Sequence, residues 1–125
     1  DGGLLGITVE GKTIVKLKDC VLDEANLLKG NAVAREQELD HIIPKKYQIL
    51  SKFYKKIYPE IKAYIFHNNS NYNDANWVGF RLIECLPIEI DDKADLISTN
   101  EPIDRLEKIF HIIKRIYPKE LNILD

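Results

Sequence analysis

The 125-residue chain has no methionine, two cysteines, six glycines and one tryptophan. Each shortage excludes something. With no Met anywhere and Asp at position 1, the sequence is expected to start inside a longer gene product. A domain missing its first strands would carry an unpaired sheet edge. Long apolar runs are also lacking. Stretches such as Ile42-Ile43 and Tyr64-Ile65-Phe66 fall far short of the roughly 18 residues that a membrane span needs. No signal peptide is visible. Cys20 and Cys85 are far apart and in no metal-like spacing. They are expected to be free, mostly buried thiols in a reducing cytoplasm, not a disulfide. Excess charge of one sign is missing too. The net charge is −2 and the pI about 5.9, so nothing in the balance draws the chain to nucleic acid or to an anionic membrane. With so few glycines, no phosphate-cradling loop and hence no nucleotide motor is expected. A Gly-x-Ser-x-Gly nucleophile elbow is absent.

What is present suits a soluble globular domain: 45% hydrophobic and 30% charged residues, enough for one core. The first residues alternate. Leu5, Ile7 and Val9 are spaced as in a strand, and Gly11-Lys12 is a plausible tight turn. Ile14, Val15 and Leu17 continue to a second extended stretch ending near Val21. Asn31 to Glu36 reads as a shorter strand, with Gly30 near a turn. From Pro44 the period changes to three and four: Tyr47, Leu50, Tyr54 and Ile57 share one helical face. Pro59 interrupts or ends that helix, and Ile61 to Phe66 fits either a further helical piece or a short extended one. Residues 67–74 form a polar, Asn-rich loop, with Asn73 or Asp74 as N-cap of the next helix. That helix carries Trp77, Val78, Leu82, Cys85 and Leu86 and stops at Pro87. A short helix follows from about Asp91 to Ser98. The last begins near Asn100 with Pro102 in its first turn and a stripe of Ile103, Leu106, Ile109, Phe110, Ile113 and Ile116. Strands first and helices after predict an α+β fold, with residues 1–40 a β-lobe and 41–125 a helical lobe.

The chemistry-bearing residues form no recognisable catalytic or metal pattern. His41, His67 and His111 stand apart from one another, at no metal-ligand spacing. Ser51, Ser70 and Ser98 are the only possible nucleophilic serines and sit in ordinary helix or loop contexts. Glu89, Asp91, Asp92 and Asp95 lack the glycine-containing loop of a calcium site and read as a solvated acidic face or cap. Lys45, Lys46, Lys52, Lys55 and Lys56 interleave with aromatics as in a single-strand path, but their spacing puts them on the outer face of an amphipathic helix. Asn68-Asn69-Ser70 fits the glycosylation pattern by chance. No catalytic, cofactor-binding or metal residue is assigned, no cofactor is expected, and the substrate-binding residues are not identified.

One segment is distinctive. Residues 74–110 combine Asp74, Trp77, Arg81-Leu82, Leu86-Pro87, Leu96, Pro102 and Arg105-Leu106-Glu107. This order resembles the helical lobe of the N-terminal substrate-binding domain family of Lon proteases. Residues 3–17 look like the late strand pair of that family's β-lobe, and Pro44 to Phe53 like its first connecting helix. The Trp77-Val78-Gly79 run is similar to the stand-alone bacterial members, with the first strands missing here.

The resemblance implies a partial PUA-like antiparallel β-lobe followed by a C-terminal helical bundle. It also implies a cytoplasmic, non-catalytic module of protein quality control that holds unfolded or damaged polypeptides, without an ATPase or peptidase of its own, alongside a protease or chaperone partner. Trp77, Leu82 and Leu86 are then core residues, and Arg81 and Glu84 make cap or lobe contacts. Such a module needs exposed apolar surface or a free strand edge. Alternatives are the recognition end of a full ATP-dependent Lon protease, a PUA-like RNA-binding module, which the net charge disfavours, and a peptidase, which lacks a nucleophile.

Overall fold

The computed structural model describes residues 2–35, 41–65 and 69–124. Among these are two strands, a 3₁₀ turn and five α-helices, so the protein is α+β. It divides into two compact units, Asp1–Gln37 and Glu38–Asp125.

The first unit is a β-hairpin of β1 (Val15–Leu22) and β2 (Leu28–Ala34), antiparallel. The alternating residues Leu5, Ile7 and Val9 are not in a strand, and Gly11-Lys12 does not make the hairpin turn. Alternation alone makes no strand without a partner to bond to. The turn is built by Asp23 instead. Its Oδ1 accepts from the N–H groups of Ala25 and Leu27, both at 2.9 Å, while Asn26 takes the left-handed conformation (φ 57°). Lys29 pairs with the same carboxylate at 2.8 Å and holds it below the usual carboxylate range.

Gly30 lies inside β2, not at a turn, opposite an irregularity between Lys18 and Val21. Asp19 is there in the left-handed region (φ 52°), the signature of a bulge that inserts one residue. The extra residue resets the alternation. Val15 and Leu17 face the same side as Leu22, Leu28, Ala32 and Ala34, while Lys16, Lys18, Lys29 and Asn31 share the other with Val21 and Val33. Without the bulge, Asp19 would fall on the apolar side. A Cβ at position 30 would meet the Cys20 Sγ at 2.9 Å and the Lys18 carbonyl at 3.1 Å, so any larger residue there would have to push the bulge aside. Every strand residue is exposed, and Cys20 with them, contrary to the expectation of a buried thiol.

The core belongs to the second unit, running from Ile43 to Leu121. A 3₁₀ turn (Lys45–Tyr47) leads into α1 (Gln48–Ile61). Tyr47, Leu50 and Tyr54 are buried, joined by Phe53, and Ile57 is half-buried. Pro59 does not end α1, which continues to Ile61 and then turns out. In α2 (Ala75–Cys85), Val78, Leu82 and Ile83 are buried, as is the capping Leu86. Trp77 is half-buried and edge-on to Tyr54 and Tyr72 at 5.6 and 5.1 Å. Helix α3 (Ile90–Ser98) contributes Leu96, and α4 (Pro102–Ile116) contributes Leu106, Ile109 and Ile113. The chain then breaks at Tyr117 and adds α5 (Pro118–Leu124), a helix that periodicity did not signal, whose Leu121 caps the core. Helix α2 packs on α1 and α4, and α5 lies on both of the latter. Among the described residues, no helix is long and apolar enough to cross a membrane.

Burial raises the Tyr54 phenol to about 12 from an ordinary 10.0. The fold therefore favours the neutral form, and this contribution is complete below about pH 10 and lost as pH climbs towards 12. Tyr54→Phe is expected to flatten the alkaline fall in melting temperature between about pH 9 and about pH 12. Identical alkaline profiles for the two proteins would contradict it.

Candidate functional site

Two constructions in the helical unit organise its surface. The first is a buried arginine. Arg105 sits on α4 three residues after Pro102 and four before Ile109, on the core side, and has no exposed surface. Its Nε donates to the Leu96 carbonyl at 3.2 Å, Nη1 to Asn76 Oδ1 at 2.9 Å and Nη2 to the Thr99 carbonyl. The guanidinium lies 4.3 Å from the centroid of the Phe80 ring. Gly79 leaves room for it, since a Cβ there would sit 3.4 Å from Arg105 Cδ. The planar fork thus ties α2, the C-terminus of α3 and α4 together. Its role is structural. Charged residues usually read as surface, yet its place in the apolar stripe was the available signal.

The second is a cleft of about 400 Å³ between α1 and the extended residues before it. One wall is a single stripe of α1: Gln48, Ser51, Lys52 and Lys55, spaced at three, four and seven. Tyr72 closes one side, with Lys55 Nζ 4.6 Å from its ring centroid. Ser51 Oγ donates to the Tyr72 carbonyl at 2.7 Å and fastens the loop to the helix. The opposite wall is Ile42. Residues 41–43 pair antiparallel with residues 73–75: Ile43 N–H donates to the Asn73 carbonyl at 3.0 Å and Ala75 N–H to that of His41 at 2.7 Å. In that pattern the N–H and C=O of Ile42 point the other way, to an edge that no strand pairs with among the described residues. Its side chain is 85% exposed.

Asp74 locks this corner. It is the N-cap of α2, with Oδ2 accepting from Trp77 N–H at 2.8 Å, and its Oδ1 also accepts from His41 N–H at 2.9 Å. Of the two cap candidates, Asp74 holds the position.

The other singled-out residues scatter. Ser51 spends its proton on a backbone carbonyl, Ser70 is in an exposed loop, and Ser98 ends α3. His111 is exposed against Phe110, His41 lies beside the cleft, and His67 falls outside the described residues, as does Asn68. Glu89, Asp91 and Asp92 are exposed at the start of α3, where negative charge suits the helix dipole, and Asp95, exposed further along it, pairs with Lys108 at 3.2 Å. Arg81 pairs with Glu84 at 2.7 Å along α2. Among the described residues, no group of three or more acidic, His or Cys side chains could hold a metal.

The expectation of no phosphate loop overlooked Gly6-Ile7-Thr8-Val9-Glu10-Gly11-Lys12-Thr13, whose letters do fit the P-loop pattern. The structure lacks the context that gives the pattern its chemistry. No helix follows to aim its N–H groups at a phosphate; β1 does, and residues 4–14 are neither strand nor helix. Lys12 is paired with Glu10 at 3.0 Å. The match is one of letters.

A second cavity, of about 450 Å³, opens between α1, α2 and α5 and includes Cys85. Burial raises the Cys85 thiol to about 11, and it donates to the Leu82 carbonyl at 3.3 Å. At pH 8 only about 0.1% would be thiolate. An aromatic disulfide reagent is therefore expected to modify Cys20 promptly and Cys85 far more slowly until the chain unfolds. Two equally fast thiols would contradict this.

No family model matches the sequence, and no curated protein matches it. Among solved structures, the fold is similar to that of a Lon N-terminal domain protein from Xanthomonas campestris, with a TM-score of 0.64 and 20% identity. The match covers 78% of this chain and 50% of that one, so the chain spans about half the length of the structure it resembles. At this identity the likeness is one of fold: the chain folds like part of a Lon N-terminal domain protein.

Proposed function

We propose that the chain is a non-catalytic polypeptide-binding module of the Lon substrate-recognition type, acting on unfolded or damaged proteins in the cytoplasm. The observation that carries this reading is the fold shared with the Xanthomonas campestris protein. The arrangement of polar groups agrees with it. The serine best enclosed, Ser51, is engaged as a hydrogen-bond donor to backbone, not activated by a base. The net charge of −2 favours protein over nucleic acid as the ligand.

Fluorescence anisotropy tests it, with labelled α-lactalbumin as the ligand. The reduced, carboxymethylated form stays unfolded, and the native form is the control. Saturable binding of the unfolded form only is expected. Failure to bind either form would remove the proposal.

A further inference from the structure

Resting on that reading, the geometry points to a specific docking site: the cleft between Ile42 and α1 binds an acidic polypeptide segment in extended conformation, added as a strand to the open edge at Ile42. Three observations converge there. The first is the edge. The pairing of residues 41–43 with 73–75 uses the backbone groups of His41 and Ile43, which leaves the N–H and C=O of Ile42 directed outwards, one donor and one acceptor at strand spacing. A free edge of this kind recruits extended peptides through main-chain bonds, which suits a module that must accept many sequences.

The second is the cavity beside that edge. At about 400 Å³ it has room for side chains of an added strand, and its walls combine the exposed Ile42 with Tyr72. The third is charge. Lys52 and Lys55 line the cleft from one stripe of α1, and among the described residues no carboxylate lines it. Among the described residues Lys52 Nζ donates to the Leu124 carbonyl at 3.2 Å, and Lys55 rests against Tyr72. An ammonium group has three donors, so both keep capacity for a carboxylate. Lysine with an aromatic ring also suits single-stranded nucleic acid, but a sugar-phosphate backbone offers acceptors for the Ile42 N–H and, in DNA, no donor for its C=O, whereas an extended peptide supplies both. The observations favour peptide.

The test uses the whole 125-residue chain and a fluorescein-labelled peptide alternating Glu with Val, compared with its Lys-for-Glu counterpart. The acidic peptide is expected to bind at least about tenfold more tightly than the basic one, as for charge pairs worth about 1.4 kcal/mol in sum. Lys52→Glu with Lys55→Glu should weaken it by at least the same factor. Lys52→Gln with Lys55→Gln should weaken it less and guards against misfolding, which circular dichroism monitors. Ile42→Pro removes the outward N–H and should also weaken binding of the acidic peptide. Binding unchanged by these variants overturns the site, as does loss of the peptide to a competing single-stranded oligonucleotide. If unfolded α-lactalbumin binds and the acidic peptide does not, the site fails while the polypeptide-binding reading stands. If neither binds, both fail.

Discussion

Replacing Arg105 with methionine is expected to destabilise the helical unit by about 3 kcal/mol, at roughly 1–3 kcal/mol for each buried acceptor left stranded. A buried charge can often be exchanged for a hydrophobe at little cost, when its partners can be exchanged with it. Here two of the partners are the backbone carbonyls of Leu96 and Thr99, which no substitution can remove. Methionine fills much of the volume, but the Thr99 carbonyl loses its guanidinium donor and the Leu96 carbonyl keeps the Thr99 N–H at 3.3 Å. Contact with the Phe80 ring face is lost as well. For a unit of this size, a loss of that order lowers the melting temperature by on the order of 10–20 °C. Arg105→Lys should recover less than half, because one ammonium cannot span three acceptors set in a fork. Thermal unfolding followed by circular dichroism reads the result. A methionine variant as stable as the parent would show that the guanidinium network contributes nothing net.

The second large effect is expected at Asp74. Its two oxygens serve two different elements, the first turn of α2 and the extended segment at His41. Asp74→Ala removes an N-cap, at about 0.5–2 kcal/mol. It also strands the His41 N–H, at about 1–3 kcal/mol. A loss of about 1.5–5 kcal/mol in sum should shift the denaturant midpoint without altering the slope. Asp74→Asn keeps one acceptor oxygen, so about half the loss is expected. A serine at this position caps but cannot also reach His41, so it should resemble the Asn variant. Equal stability of the Asp, Asn and Ala forms would show that neither hydrogen bond matters. Because the same residue sets the strand edge at Ile42, Asp74→Ala should also loosen the cleft.

The helices after Pro44 were legible for a plain physical reason. Each must bury one stripe, and the spacing of Tyr47, Leu50 and Tyr54, or of Leu106, Ile109 and Ile113, is that stripe. Asp74 was legible as a cap because an acceptor is needed where the first N–H groups lack partners. The hairpin was not placed correctly. Leu5, Ile7 and Val9 alternate as well as any strand, but strands exist by pairing, and nothing local records who pairs with whom. The true turn, Asp23-Glu24-Ala25-Asn26, has no glycine and depends on one carboxylate accepting two backbone bonds. The bulge at Asp19 then shifts the alternation by one, which disguises the apolar face.

The candidate site was hidden for another reason. Lys52 and Lys55 read as the solvated outside of an amphipathic helix, and they are exposed. What makes a cleft of them is the return of residues 72–75 against residues 41–43, a tertiary pairing carried by three backbone or capping hydrogen bonds. Arg105 was missed because a charge within an apolar stripe looks like an error in the stripe. Gly79, one turn into α2, is its counterpart and gives no sign of it in isolation.

The central claim is that this chain holds unfolded polypeptide, and calorimetry tests it most directly. Titrating the protein with carboxymethylated α-lactalbumin at two temperatures should give a saturable heat that becomes more exothermic on warming. That negative heat-capacity change marks buried apolar surface. No saturable heat at either temperature would contradict the account.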